Sequence, residues 1–172
     1  MEGMEELTLE EVCIPSGLIN AVILGYQVAL NRTLGKGAAA MTQLLIKDIG
    51  EVLEDLIEEA GFELGESTDL KNDIPKAMKM LGVSDKVVVE SPGNGTTSGS
   101  KYIIKIEDSV FKPVARILEK KGIPFTLAPE AFIAAALVRK AVRKKNPNAQ
   151  VRIKVHPQKS ADEPLVIEVT VR

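Results

Sequence analysis

Residues 93–101 read GNGTTSGSK, glycines and small hydroxyls followed by a lysine. Such residues could cradle a phosphate, because glycine lets backbone N–H groups approach an anion and lysine supplies charge. The spacing argues against it. A phosphate loop needs G-x-x-x-x-G-K-[ST] between a strand and a helix, yet neither Gly93 nor Gly95 has a glycine five positions on. Lys101 follows Gly99-Ser100 and begins an extended stretch, so no helix dipole faces the run. It reads as a flexible hairpin loop, long enough to order on binding.

Other chemically able residues are sparse. The single Cys13 and single His156 exclude an intrachain disulfide, a Cys-based zinc cluster and a His pair. Cys13 precedes a helix entry, where a thiol can be activated, but no His is near it in sequence and it reads as a buried structural residue. His156, on the polar register of a strand and followed by Pro157, reads as a surface residue. The carboxylate pairs Glu54/Glu58 and Glu107/Asp108 read as solvated faces. Arg139, Lys140, Arg143, Lys144 and Lys145 could form a nucleic-acid patch, but the chain is acidic (pI about 5.6) and lacks interleaved aromatics. These residues read as a solvated helix end that can pair with the acidic second helix. No catalytic constellation, metal site or cofactor site emerges, which points away from an enzyme.

What positions these residues is a soluble-type chain of 172 residues with 45% apolar, 27% charged and only 3% aromatic side chains. The core must therefore be aliphatic, and stacking platforms for single-stranded nucleic acid are scarce. Net charge is −2, yet residues 1–70 carry −11, residues 71–138 carry +3 and residues 139–172 carry +6. An acidic front and a basic tail can attract each other within the fold or across a dimer, or stand as separate solvated faces. The acidic N-terminus is neither a secretory signal nor a transit peptide, and no apolar run reaches membrane-spanning length, so a cytoplasmic location is expected.

Apolar periodicity predicts a helix from Pro15-Ser16 to Gly35 and a second from about Gly37 to Ala60. In the second, Gly50 costs about 1 kcal/mol against Ala, which implies close approach by a neighbouring backbone. A third helix spans Asp69 to Leu81 with Gly82 as its stop, a fourth Val110 to Lys121 with Gly122 as its stop. The segment from Pro129, AFIAAALVRKAVRKKN, starts apolar almost all round and ends basic, as a helix buried early and surfacing late. Strands are expected at Val87–Glu90, Lys101–Ile106, Val151–His156 and Leu165–Arg172. The fold class is α+β: an antiparallel sheet of about four strands in two hairpins, packed by about five helices. Residues 1–14 are an acidic lead-in and residues 15–172 one domain.

An apolar constellation remains. Met41, Leu44, Leu45, Met78, Phe111, Phe125 and Phe132, with Met80 nearby, are adaptable or bulky groups on elements expected to share one interior. They make either an apolar ligand site or a plain core.

The stretches GYQVALNRTLGKGAAAMTQLLIKDIGEVLEDLIEEAG, DIPKAMKMLGVSDKVVVE, KYIIKIEDS and PFTLAPEAFIAAALV resemble the 4-vinyl reductase domain family, nearest its stand-alone archaeal hydrocarbon-binding type. That family is related to vesicle-tethering TRAPP subunits and haem nitric-oxide-binding domains. The resemblance implies a homodimer whose internal apolar space holds a hydrocarbon or lipid-like ligand in a non-enzymatic, regulatory role. Many members carry Cys residues near the segment that here reads PFTLAPEAFIAAALV, and a metal role is suggested for them. This chain has none there and no matching haem-ligating His, so neither metal nor cofactor carries over. Two other readings are a protein-interaction scaffold of the tethering type, recruiting a protein partner, and a reductase-associated role in tetrapyrrole metabolism.

Overall fold

A computed structural model describes residues 16–59, 69–91, 100–126 and 128–172. The lead-in of residues 1–14, Cys13 with it, and residues 93–99 of the glycine-rich run lie outside the described residues. The helices are α1 (Ser16–Leu34), α2 (Ala38–Glu59), α3 (Leu70–Met80), α4 (Lys112–Lys120) and α5 (Pro129–Lys145). The strands are β1 (Lys86–Glu90), β2 (Ser100–Glu107), β3 (Val151–Val155) and β4 (Leu165–Val171). The α+β class and the element order match the sequence expectation. No described helix is long and apolar enough to cross a membrane.

Local chemistry sets the helix ends. Asp69 caps α3, its Oδ1 accepting from Lys71 N at 3.1 Å. An Asp69→Ala chain is expected to lose about 1 kcal/mol in urea denaturation, the usual worth of such a cap. Both expected glycine stops occur. Gly82 (φ +68) lets Val83 N reach Met78 O at 2.9 Å, and Gly122 (φ +63) lets Ile123 N reach Leu118 O at 2.9 Å. These are the bonds that close a helix through a left-handed residue. Between β2 and α4, Asp108 adopts φ +47 and accepts from Lys112 Nζ at 2.6 Å and Lys86 Nζ at 2.5 Å. The hydrogen bonds from Lys112 and then Lys86 hold its carboxyl down at about 2.

The four strands are antiparallel in the order β1-β2-β4-β3, so pairing of β2 with β4 joins the two hairpins. Register places Val89 opposite Ile104 and Ile104 opposite Ile167, with Val155 on Ile167's other side. Because side chains alternate across a pleated strand, this register puts the apolar residues on one face. The opposite face is charged, with Lys105–Glu90 at 2.7 Å and Lys101–Glu168 at 3.2 Å. Lys101 lies inside β2, so a strand follows the glycine-rich run where a phosphate loop would need a helix.

Helix α5 lies in the middle of the molecule, packed against β3 and β4 on one side and α2 on another. That explains its all-round apolar start: Ala131, Ala134, Ala135, Ala136, Leu137 and Val138 are all buried. The basic end of α5 then meets the acidic side of α2. Arg143 Nη1 lies 2.8 Å from Glu54 Oε2, and Lys140 lies 4.0 Å from Glu58. Glu54 is thus no solvated carboxylate. Its burial raises its pKa in spite of Arg143 and Arg139 nearby, and its Oε1 has no hydrogen-bond partner among the described residues.

Gly50 differs from expectation in an informative way. Its neighbour is a side chain, not a backbone: a Cβ at Gly50 would overlap Nη1 of Arg139 and sit 3.3 Å from Cζ. The buried guanidinium of Arg139 occupies the space the glycine leaves.

Candidate functional site

The seven apolar candidates do not share one chamber. Met78 and Phe111 are buried in the main core cluster, with Phe125 packed against it. Phe132 is buried outside that cluster. Met41 and Leu44 lie exposed on α2, while Leu45 lines a groove between α1 and α2. Met80 is 65% exposed and belongs to no interior set.

The α1–α2 groove is an open concavity of about 350 Å³ walled by Tyr26, Ala29, Leu30, Thr33, Leu34 and Leu45. Both helices expose further apolar side chains, Leu18, Val22 and Tyr26 on α1 and Leu44, Val52 and Leu56 on α2, with Leu44 69% and Tyr26 67% exposed. Helical spacing in the sequence revealed these apolar positions but not the side they face. The anchors that orient α1 are polar: Asn20 Nδ2 donates to Val110 O at 3.1 Å, and buried Gln27 accepts from Thr126 N at 3.0 Å. Sequence reasoning missed Gln27, whose only signal was an amide flanked by apolar residues.

A second concavity, of about 230 Å³, lies where α5 ends against the sheet. Leu70 of α3, Tyr102 of β2, Ala141 and Val142 of α5 and Val171 of β4 make its apolar floor. The local sequence explains the opening. Asn146 caps α5 with its N–H on Val142 O at 2.9 Å, Pro147 prevents continuation, and Ala149 N returns to Asn146 O at 3.0 Å. The turn ends where Gln150 and Arg172 exchange backbone bonds at 2.8 and 2.9 Å, which leaves the end of the sheet uncovered beside the helix. None of the seven candidates lines this pocket. Its apolar walls are Leu, Tyr, Ala and Val residues spread over four elements, which no local pattern distinguishes from core.

A third space, beside Glu130 and Ser109, has a volume of about 10 Å³, room for one water at most. Ser109 Oγ donates to Glu130 Oε1 at 2.7 Å, and Oε2 has no partner among the described residues. Burial raises the Glu130 pKa, the hydrogen bond from Ser109 offsetting only part of it. The folded chain therefore keeps a proton that the unfolded chain releases at its ordinary value. This contribution is full below the unfolded pKa and is lost as pH rises through the folded one. Glu130→Gln is expected to match the parent near about pH 4 and to exceed it in stability near about pH 7.5. Urea denaturation at both values checks the sign. No group of three or more His, Cys, Asp or Glu side chains that could hold a metal occurs among the described residues.

Comparison with protein-family models finds no match. The uncharacterized protein MJ0312 of Methanocaldococcus jannaschii is 36% identical over 178 aligned residues, covering 98% of this chain and 82% of that protein. Subunit 3 of the trafficking protein particle complex from Naegleria fowleri, solved covalently bound to palmitic acid, superposes with a TM-score of 0.58. It is 12% identical, over 91% of this chain and 95% of that one. The phenol-responsive sensory domain of the transcription activator PoxR, solved with phenol, gives a TM-score of 0.53 at 15% identity, over 96% and 83% of the two chains. These two likenesses establish a shared fold; palmitate and phenol are the ligands of those proteins.

Proposed function

Since this chain belongs to the same family as the uncharacterized Methanocaldococcus jannaschii protein, on a fold used by one lipid-bound subunit and one phenol sensor, we propose that it is a non-enzymatic module binding a small apolar molecule. The carrying observation is the 230 Å³ apolar pocket over Leu70, Tyr102, Ala141, Val142 and Val171. An apolar cavity of about 150 Å³ suffices for benzene, so this space suits a phenyl-sized ring or a short length of acyl chain. Transfer of such a ligand from water is driven by the same apolar burial that builds the core. We read the chain as a 4-vinyl reductase-type domain over residues 15–172, with a regulatory role. The relation to a tethering subunit that this resemblance implies accords with the fold shared with the Naegleria protein.

The molecule is a homodimer in this reading, associating through the exposed apolar side chains of α1 and α2, since apolar exposure of that extent on a soluble chain marks an interaction site. The scaffold reading draws on the same side chains. A chain that is monomeric in solution would favour it over the dimer.

The test is mild organic extraction of freshly purified protein with mass spectrometry, alongside thermal denaturation with fatty acids, isoprenoids and simple phenols. A co-purifying apolar compound, or a rise in Tm that grows with ligand concentration, is expected. Protein that yields no such compound and is stabilised by none of the three classes would overturn the proposal.

A further inference from the structure

Strand β3 is an edge of the sheet, with β4 on one side and no described strand on the other. Gln150 and Arg172 exchange backbone bonds at 2.8 and 2.9 Å, and His156 N donates to Val166 O at 2.9 Å. Hydrogen-bonded and non-bonded residues alternate along an antiparallel ladder. Residues 150, 152, 154 and 156 therefore turn their N–H and C=O groups toward β4. Val151, Ile153 and Val155 turn theirs outward, where three donors and three acceptors are without partners among the described residues.

The side chains of β3 divide in the same rhythm. Val151, Ile153 and Val155 lie on the face that α5 covers and pack against the main core cluster. They are only half-buried, whereas Ile167 and Val169, opposite Val155 and Ile153 on β4, are wholly so. Arg152 and Lys154 stand exposed on the other face and make no salt bridge among the described residues. The one acid beside them, Glu168, lies opposite Lys154 but is engaged by Lys101 at 3.2 Å and His156 at 3.5 Å.

An unpaired edge is a template for any extended chain, and the charges on this one narrow the choice. Pairing with β3 of a second copy would bring Arg152 and Lys154 up against the same two cations, and like charges opposed across strands destabilise the pair. A strand with acids on that face and apolar residues on the other has no such cost. Its acids fall beside Arg152 and Lys154, and its apolar residues extend the half-covered row of Val151, Ile153 and Val155.

We propose that the β3 edge docks an extended segment of another protein in which acidic and apolar residues alternate, added to the sheet as a fifth strand. Backbone bonds to Val151, Ile153 and Val155 supply the attachment, and the alternation selects the partner. No residue of β3 lines the pocket at the end of α5, so the proposal is independent of the ligand-binding reading.

Amide hydrogen exchange and NMR titration of the full chain with two probe peptides, TVEVEVT and TVKVKVT, test it. With TVEVEVT at about ten times its Kd, exchange at Val151, Ile153 and Val155 is expected to slow about tenfold. Arg152 and Lys154, whose amides already face β4, should not change. TVKVKVT is expected to bind at least about tenfold more weakly, because two attractive cross-strand pairs become repulsive. The double variant Arg152→Glu, Lys154→Glu, at two exposed positions, should reverse the order of the two peptides. Failure of TVEVEVT to bind, equal affinity for both peptides, protection without this alternation, or an order that survives the double variant overturns the proposal. Exchange at Val151, Ile153 and Val155 that is already slow before peptide is added would mean that a segment of this chain or a second copy fills the edge, and overturns it as well.

Discussion

A Leu137→Ala chain is expected to be less stable than the parent by about 2–5 kcal/mol, toward the upper end of that range. Leu137 is fully buried midway along α5, within the main core cluster. One turn away on α5, positions 134 and 141 are alanines and only Ile133 is a larger apolar group, so little of the helix can collapse into the void. The cost of a large-to-small change grows with the cavity that persists. A native domain holds only about 5–15 kcal/mol in total, so this one change removes a large part of it. Leu137→Met, which roughly conserves volume, should cost under about 1.5 kcal/mol. Guanidinium denaturation of the three proteins decides the matter. A loss below about 1 kcal/mol for the alanine variant would mean that α5 is not the packing centre described here.

Replacing Val22 and Leu44 together by Glu is expected to abolish the proposed self-association while leaving the folded chain as stable as the parent. Both side chains are more than half exposed, so neither substitution opens a cavity. In a two-fold interface every residue appears twice, so the pair of substitutions places four carboxylates on the shared surface. Like charges set against each other across an interface cost several kcal/mol, and each 1.4 kcal/mol is about tenfold in Kd. A weakening of at least about a hundredfold follows. Light scattering coupled to size-exclusion chromatography at micromolar concentration reads the outcome. A parent that is already monomeric, or a variant that still dimerises, would refute the α1–α2 interface.

Legibility in the sequence tracked how local each signal is. Helix stops at Gly82 and Gly122 were readable because one residue type answers one backbone requirement. The sheet face was readable because alternation along β3 and β4 has a period of two and a single buried side. The all-round apolar start of α5 was readable as a helix buried early, because no polar side is left for water. What could not be read was which side of α1 and α2 faces inward. Apolar residues line much of both helices, and the orientation is set by Asn20 and Gln27 finding Val110 and Thr126 some ninety or more positions away. The concavity at the end of α5 was hidden for a similar reason. Its floor is assembled from Leu70, Tyr102, Val142 and Val171, each unremarked in its own segment. The Met and Phe set drew notice by residue type, and type alone does not tell a residue packed in a core from one beside a vacant space.

The juxtaposition of Gly50 with Arg139 has a consequence for how this chain can change over evolutionary time. A helical glycine is ordinarily free to become alanine, and gains about 1 kcal/mol by doing so. Here the added methyl group would drive a buried guanidinium from its place beside Glu54. The two positions are therefore coupled: a side chain at 50 is accommodated only as the end of the Arg139 side chain moves aside or is shortened, and descendants that keep the guanidinium in this place should keep the glycine.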